Sequence, residues 1–133
     1  SSTSVTRDDM LEGLSQSDEG FASQVRKAIF TFAHIPARIT PRDIPRILRD
    51  ADQGDLVVAF AGATLADVQT SADFILENMS TRMADQLREE VEEAPKPKLV
   101  DVEAAMGRIV GVIRELEADG ELTFIFEEEE GSA

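Results

Sequence analysis

Residues 78–93 read Asn78-Met79-Ser80-Thr81-Arg82-Met83-Ala84-Asp85-Gln86-Leu87-Arg88-Glu89-Glu90-Val91-Glu92-Glu93. Ser80 is a favourable N-cap, because its hydroxyl can accept from a free backbone N–H of the first helical turn. At about 100° per residue, Met83, Ala84, Leu87, Val91 and Ala94 gather in one apolar sector. Arg82, Gln86, Glu89 and Glu93 line up on another face, with Glu90 on its flank. The stretch therefore predicts an amphipathic helix from Ser80 to Glu93 or Ala94, basic at one end of its exposed stripe and strongly acidic at the other.

The same helical period extends outward in both directions. Upstream, Thr64 is a candidate cap for a helix whose apolar positions Leu65, Val68, Ala72, Ile75 and Met79 step by three and four. Asn78 ends it. Before that, Asp55 opens a compact apolar helix, Leu56 to Ala61, which Gly62 stops. Thr40-Pro41 reads as a cap followed by Pro at the first helical position, opening a helix over 41–51 that buries Ile44, Ile47 and Leu48. His34 to Thr40, with Pro36, reads as a connector. A helix over 17–32 buries Phe21, Val25, Ala28, Ile29 and Phe32, and a shorter one over 8–16 turns Met10, Leu11 and Leu14 inward. Ser1 to Ser4 reads as a linker, in keeping with a piece of a longer protein.

Downstream, Ala94-Pro95-Lys96-Pro97-Lys98 is the clearest break in the chain. Asp101 is a candidate cap for a last helix over 102–118, in which Val102, Met106, Ile109, Ile113 and Leu116 form the core stripe. Gly107 and Gly111, one turn apart, are read as allowing another backbone to come close. Gly120 is placed to end the helix, and Leu122 to Phe126 to dock as a short extended piece. Glu127 to Ala133 is an acidic tail without core residues. The fold class is all-α.

Composition excludes several functions. The chain has 133 residues and 42% hydrophobic residues, enough for a core. With 27 acids against 13 bases, its formal charge is -14 and its pI near 4.3. Phosphate binding needs a basic surface, so nucleic acid is not expected as a partner. No run of roughly 18 apolar residues exists to insert into a membrane. There is no Cys and one His, His34, which removes thiol chemistry and multi-His metal sites. His34, beside Phe32 and Ile35, reads as a packing or capping residue. Gly62-Ala63-Thr64 lacks the Lys of a phosphate loop. Glycoside chemistry would want sugar-stacking aromatics beside paired carboxylates, and there is no Trp or Tyr. We expect no catalytic residues, no cofactor and no metal.

The charges of 80–93 allow three readings. One is a solvated helix face, the usual meaning of a charge run. The second is a bipolar ridge that a partner reads electrostatically. The third treats Glu89, Glu90, Glu92 and Glu93 as ligands for a hard cation, but a continuous helix splays neighbouring side chains and offers no loop carbonyls.

Several segments in series resemble the C-terminal part of the flagellar motor switch protein FliG family. Ile29-Phe30-Thr31-Phe32 is similar to the family's Met-Phe-x-Phe hinge. Pro41 to Asp52 resembles its Asp-Asp-Arg-Ser-Ile-Gln-x-x-Leu-Arg-Glu-Val-Asp stretch. Asp55 to Ala63 follows Asp-Leu-x-x-Ala-Leu-Lys-Gly-Ala, with Ala61 in place of the Lys. Asn78 to Ala84 looks like Asn-Met-Ser-x-Arg-Ala-Ala, and Asp101-Val102-Glu103, Ile113 to Leu116 and Gly120-Glu121-Leu122 continue the series over roughly residues 20–126. Two departures stand out: 64–78 is about one helical turn longer, and Pro95 to Lys98 replaces Gly-Pro-Val-Arg.

The resemblance implies armadillo-like helices and a hinge motif over 1–32, with Ile29, Phe30 and Phe32 as hinge residues. It implies a compact six-helix, right-handed superhelix-like torque domain over 33–126, and a disordered acidic tail over 127–133. It implies no enzymatic activity. The stator-facing ridge would comprise Arg82, Glu89, Glu90 and Lys98. Implied partners are the stator protein MotA, the switch protein FliM (and, through it, phosphorylated CheY) and neighbouring FliG subunits in a ring. The implied location is the flagellar basal body at the cytoplasmic face of the inner membrane. Two rivals remain open: an acidic cation-sensing domain related to that of the magnesium transporter MgtE, and a non-motor helical adaptor.

Overall fold

The structure is a computed structural model that describes residues 20–22, 29–66 and 68–126. The chain divides into two compact units, Ser1–Phe30 with Glu127–Ala133, and Thr31–Phe126. Little of the first is described: 20–22 are helical, Phe21 and Ile29 are exposed and Phe30 is buried. Phe21 and Ile29 thus depart from the burial expected of them. The helix predicted over 8–16, most of that over 17–32 and the acidic tail lie outside the described residues.

The second unit is all helical among its described residues. A 3₁₀ turn, Phe32–His34, leads into α1 (Ile35–Arg38). A second 3₁₀ turn, Pro41–Asp43, leads into α2 (Ile44–Asp50), followed by α3 (Gln53–Ala61), α4 (Gln69–Glu77), α5 (Thr81–Glu93) and α6 (Leu99–Ala118).

The helix ends follow local chemistry. Thr31 N–H donates to His34 Nδ1 at 3.0 Å, so His34 serves as a cap. The segment read as a connector holds one helical turn, α1, because Pro36 sits within its first two positions, where no N–H is needed. Pro45 acts in the same way at the start of α2. This is why the single helix expected over 41–51 divides into a 3₁₀ turn and α2. α3 starts earlier than expected, at Asp52, whose carboxylate accepts from Asp55 N–H at 3.2 Å. α4 starts later: turns occupy 62–66, and its N-cap is Val68 rather than Thr64. Ser80 caps α5 as expected, its Oγ accepting from Met83 N–H at 3.2 Å. α6 begins at Leu99, which places Asp101 in its first turn, where a carboxylate meets the positive end of the helix dipole.

The end of α6 shows why Gly120 is glycine. Its φ is +80°, its N–H bonds Glu117 O at 3.1 Å, and Glu121 N–H bonds Leu116 O at 2.9 Å. This is the Schellman arrangement, which needs a left-handed residue at that position. Beyond it the chain docks back on α1. Ile125 N–H donates to Arg38 O at 2.8 Å, and an Arg38 guanidinium N–H donates to Ile125 O at 3.3 Å. The guanidinium of the buried Arg38 also lies 4.9 Å from the centre of the Phe126 ring.

The predicted stripe of α6, Val102, Met106, Ile109, Ile113 and Leu116, is buried throughout. It packs chiefly on α3, whose Leu56, Ala59 and Phe60 are buried. At the end of α3 the contact is tight. A Cβ on Gly62 would overlap Val102 Cγ2 and lie 2.8 Å from Cγ1. Gly107 and Gly111 are the reverse case: both are exposed, with nothing within 4 Å of an added Cβ. The close approach expected there is absent among the described residues.

These glycines predict opposite responses to one substitution. Gly62→Ala should lower unfolding free energy by about 1–3 kcal/mol through overpacking. Gly107→Ala and Gly111→Ala should each raise it by roughly 0.5–1 kcal/mol, the helix-interior difference between the two residues. Urea unfolding of the three variants measures both signs.

Candidate partner-docking face on α5

α5 is fastened from beneath by Ala84 and Leu87, both buried, while Val91 is half-buried. Met83, expected in the apolar sector, is 49% exposed. Its position just inside the N-terminus lies at the edge of the packed stripe. Most of the helix surface is thus left to solvent and held on a rigid support.

The charged residues on it are not equivalent. Arg82 and Glu89 are exposed, and neither side chain makes an ion pair or hydrogen bond among the described residues. They are separated along the helix axis by roughly 10 Å at 1.5 Å per residue. Glu90 is half-buried and held: its Oε2 accepts from Gln53 Nε2 of α3 at 3.2 Å and from Gln86 Nε2 at 3.4 Å. The neighbouring acids Glu89 and Glu90 therefore do different work. One faces water, and the other ties α5 to α3. Asp85 and Arg88 form an exposed i,i+3 pair at 3.6 Å, of the kind that contributes little. Lys98 is exposed at the start of α6, on a different element from the other three. Ile29 and Phe30 belong to the first unit and Phe32 to the second, with Ile29 exposed and both Phe residues buried.

One strong ion pair escaped the sequence reading. Arg108 of α6 donates to Asp55 Oδ1 of α3 from Nε at 3.0 Å and from a terminal nitrogen at 2.9 Å. That hydrogen bond, with the attraction of Asp55, holds the Arg108 pKa above its ordinary value, and Asp52 and Asp101 add to the shift. The partners are 53 residues apart, so no local pattern announces them. Among the described residues, no three or more His, Cys, Asp or Glu residues gather as metal ligands, and no helix is long and apolar enough to cross a membrane.

The family model of the FliG C-terminal domain matches residues 12–124, which include the whole of α1 to α6. This chain belongs to the FliG C-terminal domain family. It is 32% identical over 117 residues to the flagellar motor switch protein FliG of Bacillus subtilis, covering 88% of this chain and 33% of that protein. It is 33% identical over 118 residues to FliG of Thermotoga maritima, covering 89% and 34%. Among solved structures, full-length FliG from Aquifex aeolicus superposes with a TM-score of 0.64 at 30% identity, over 91% of this chain and 35% of that one. Residues 116–343 of FliG from H. pylori give 0.65 at 27% identity, over 90% and 50%. The chain thus spans about a third of the length of the curated FliG relatives. The all-α fold is that of FliG C-terminal helical domains.

The Asp55–Arg108 contact in this FliG-type unit predicts energetic coupling between α3 and α6. A double-mutant cycle of Asp55→Asn and Arg108→Gln, read by thermal unfolding, should show a favourable interaction at low salt that shrinks in molar salt, since Arg108 is exposed and screened. Strict additivity at low salt would show that the pair contributes nothing.

Proposed function

We propose that the chain is a rotor and switch module of the bacterial flagellar motor, sited in the basal body at the cytoplasmic face of the inner membrane. Torque enters through electrostatic contact of the stator protein MotA with the α5 face, where Arg82 and Glu89 act directly. Glu90 acts mainly by holding that face on α3, and Lys98 extends it beyond the proline segment. The observation that carries the reading is the exposure of Arg82 and Glu89, unengaged among the described residues, on a helix anchored by the fully buried Leu87. A docked partner can claim both charges without first breaking an internal bond.

Switching would follow from movement about the segment Ile29, Phe30 and Phe32, biased by FliM and by neighbouring FliG subunits in a ring. Nothing in this role calls for a catalytic step. The cation-sensing rival has no observation in its favour, because candidate ligands do not converge among the described residues.

Rim charges set encounter more than affinity. Single changes at Arg82 or Glu89 should therefore slow swimming slightly, and joint reversal by Arg82→Glu, Glu89→Lys and Glu90→Lys should abolish it, as measured by complementation of a non-motile null strain. Glu90→Gln, which keeps a hydrogen-bonding oxygen near Gln53, should be milder than Glu90→Lys. Full swimming in the triple reversal would sink the reading.

A further inference from the structure

α5 packs on α3 and, less extensively, on α4, and it makes little direct contact with the core helix α6. Its covalent link to α6 is the segment Ala94-Pro95-Lys96-Pro97-Lys98. Both ends of that segment are bonded into the helices. Ala94 N–H donates to Glu90 O at 3.0 Å, and Lys98 O accepts from the Asp101 and Val102 N–H groups, each at 3.0 Å. Pro95, Lys96 and Pro97 alone lie between these fixed points.

Little freedom is left to them. Each proline ring holds φ near about −65°, and Ala94 and Lys96, each followed by proline, are kept out of the helical region. The fixed points share one conformation: φ and ψ are −73° and 143° at Ala94, and −78° and 149° at Lys98, close to polyproline II values. A polyproline II helix repeats every three residues. Ala94 and Pro97, three apart, are the half-buried pair, while Pro95, Lys96 and Lys98 are exposed. Beneath the segment, Ala94, Pro95 and Pro97 line a groove of about 400 Å³ with Val58 and Ala61 of α3 and Ala104 of α6. The segment thus bridges a gap, and its stiffness comes from its own backbone rather than from close packing.

We propose that Ala94 to Lys98 is a load-bearing strut, which carries force from the end of α5 straight into the start of α6. This rests on the reading of α5 as the face that receives torque. A partner that pulls α5 away from α3 must then also move α6, whose buried stripe holds the unit together. With a slack connection of the same length, α5 could peel from α3 and return, and the work would be lost as local opening.

Native-state hydrogen exchange of the full chain tests the strut. The double variant Pro95→Gly, Pro97→Gly removes both φ restraints; Gly is chosen because Ala would let α5 continue as helix. The Leu87 and Val91 amides of α5 should exchange about tenfold faster, the combined scale of two such backbone changes. The Ile109 and Ile113 amides of α6 should keep their protection, which also shows that the variant folds. Lys96→Ala, which removes a charge and keeps both prolines, should change neither set. A second measurement reads the rotation of tethered beads in the complemented null strain. The double Gly variant should lose torque under heavy load and keep its speed under light load, and Lys96→Ala should keep both. An equal rise of exchange in α5 and α6 would be ordinary loss of stability and would overturn the proposal, as would unchanged α5 exchange or full torque under heavy load. Such a result beside a non-motile triple reversal of Arg82, Glu89 and Glu90 would leave the docking face standing. A motile triple reversal would remove the docking face, and the exchange pattern alone would then decide whether the segment couples α5 to α6.

Discussion

The close approach of α3 to α6 at Gly62 and Val102 is the constraint on which the rest of the unit depends. Helices pack some 8–10 Å apart according to the side chains at the crossing, and at Gly62 there is no room for even a methyl group. That proximity lets Leu56, Ala59 and Phe60 of α3 meet the α6 stripe along its length. α5 and α4 in turn rest on α3. A displacement of α3 would therefore be passed on to the face that carries Arg82 and Glu89. In an interior packed to near-crystalline density, such shifts are not absorbed locally. A change at Gly62 should thus reach beyond its own site.

The charge of -14 acquires a structure in this frame. Some acids work inward: Asp52 caps α3, Asp55 binds Arg108, and Glu90 accepts from Gln53 and Gln86. Each fastens an element that positions α5 or α6. Glu89 and Arg82 are left to solvent on the same helix. The acidic run of α5 is therefore partly scaffold and partly surface. A count of charges alone would have treated Glu89 and Glu90 as a matched pair.

What could be read from sequence follows how local the signal is. The start of α5 is readable because Ser80 and its acceptor role lie within one turn, and the α6 core is readable because its five apolar residues keep one phase. Gly120 is readable because a left-handed helix end favours glycine. The signals that misled were local ones overruled by context. Pro36 read as part of a connector, yet it falls in the first turn of a helix, where its missing N–H costs nothing, and Pro45 does the same at the start of α2. Thr64 resembles a cap, but the turns over 62–66 use that stretch first, with Leu65 and Ala66 N–H both bonding Gly62 O. Gly107 and Gly111 looked like a contact seam, although at about 100° per residue they lie roughly 140° and 180° from Val102, on the opposite side of α6. The phase of the stripe already contained that answer. Asp55–Arg108 and the α1 contact of Ile125 join residues far apart in the chain, and only the fold brings them together.

Those long-range bonds also shape how the unit can be moved. Its chain enters through Thr31 and Phe32 and is described to Phe126, and α1 holds both ends. Thr31 is bonded to His34 at the edge of α1, and Arg38 at the other edge holds Ile125 through two hydrogen bonds and faces the Phe126 ring. With both ends gathered on one short element, a rotation applied there carries α2 to α6 as a body and need not strain the crossing at Gly62. Within the unit, Leu87, Gln53 and Glu90 preserve what α5 presents.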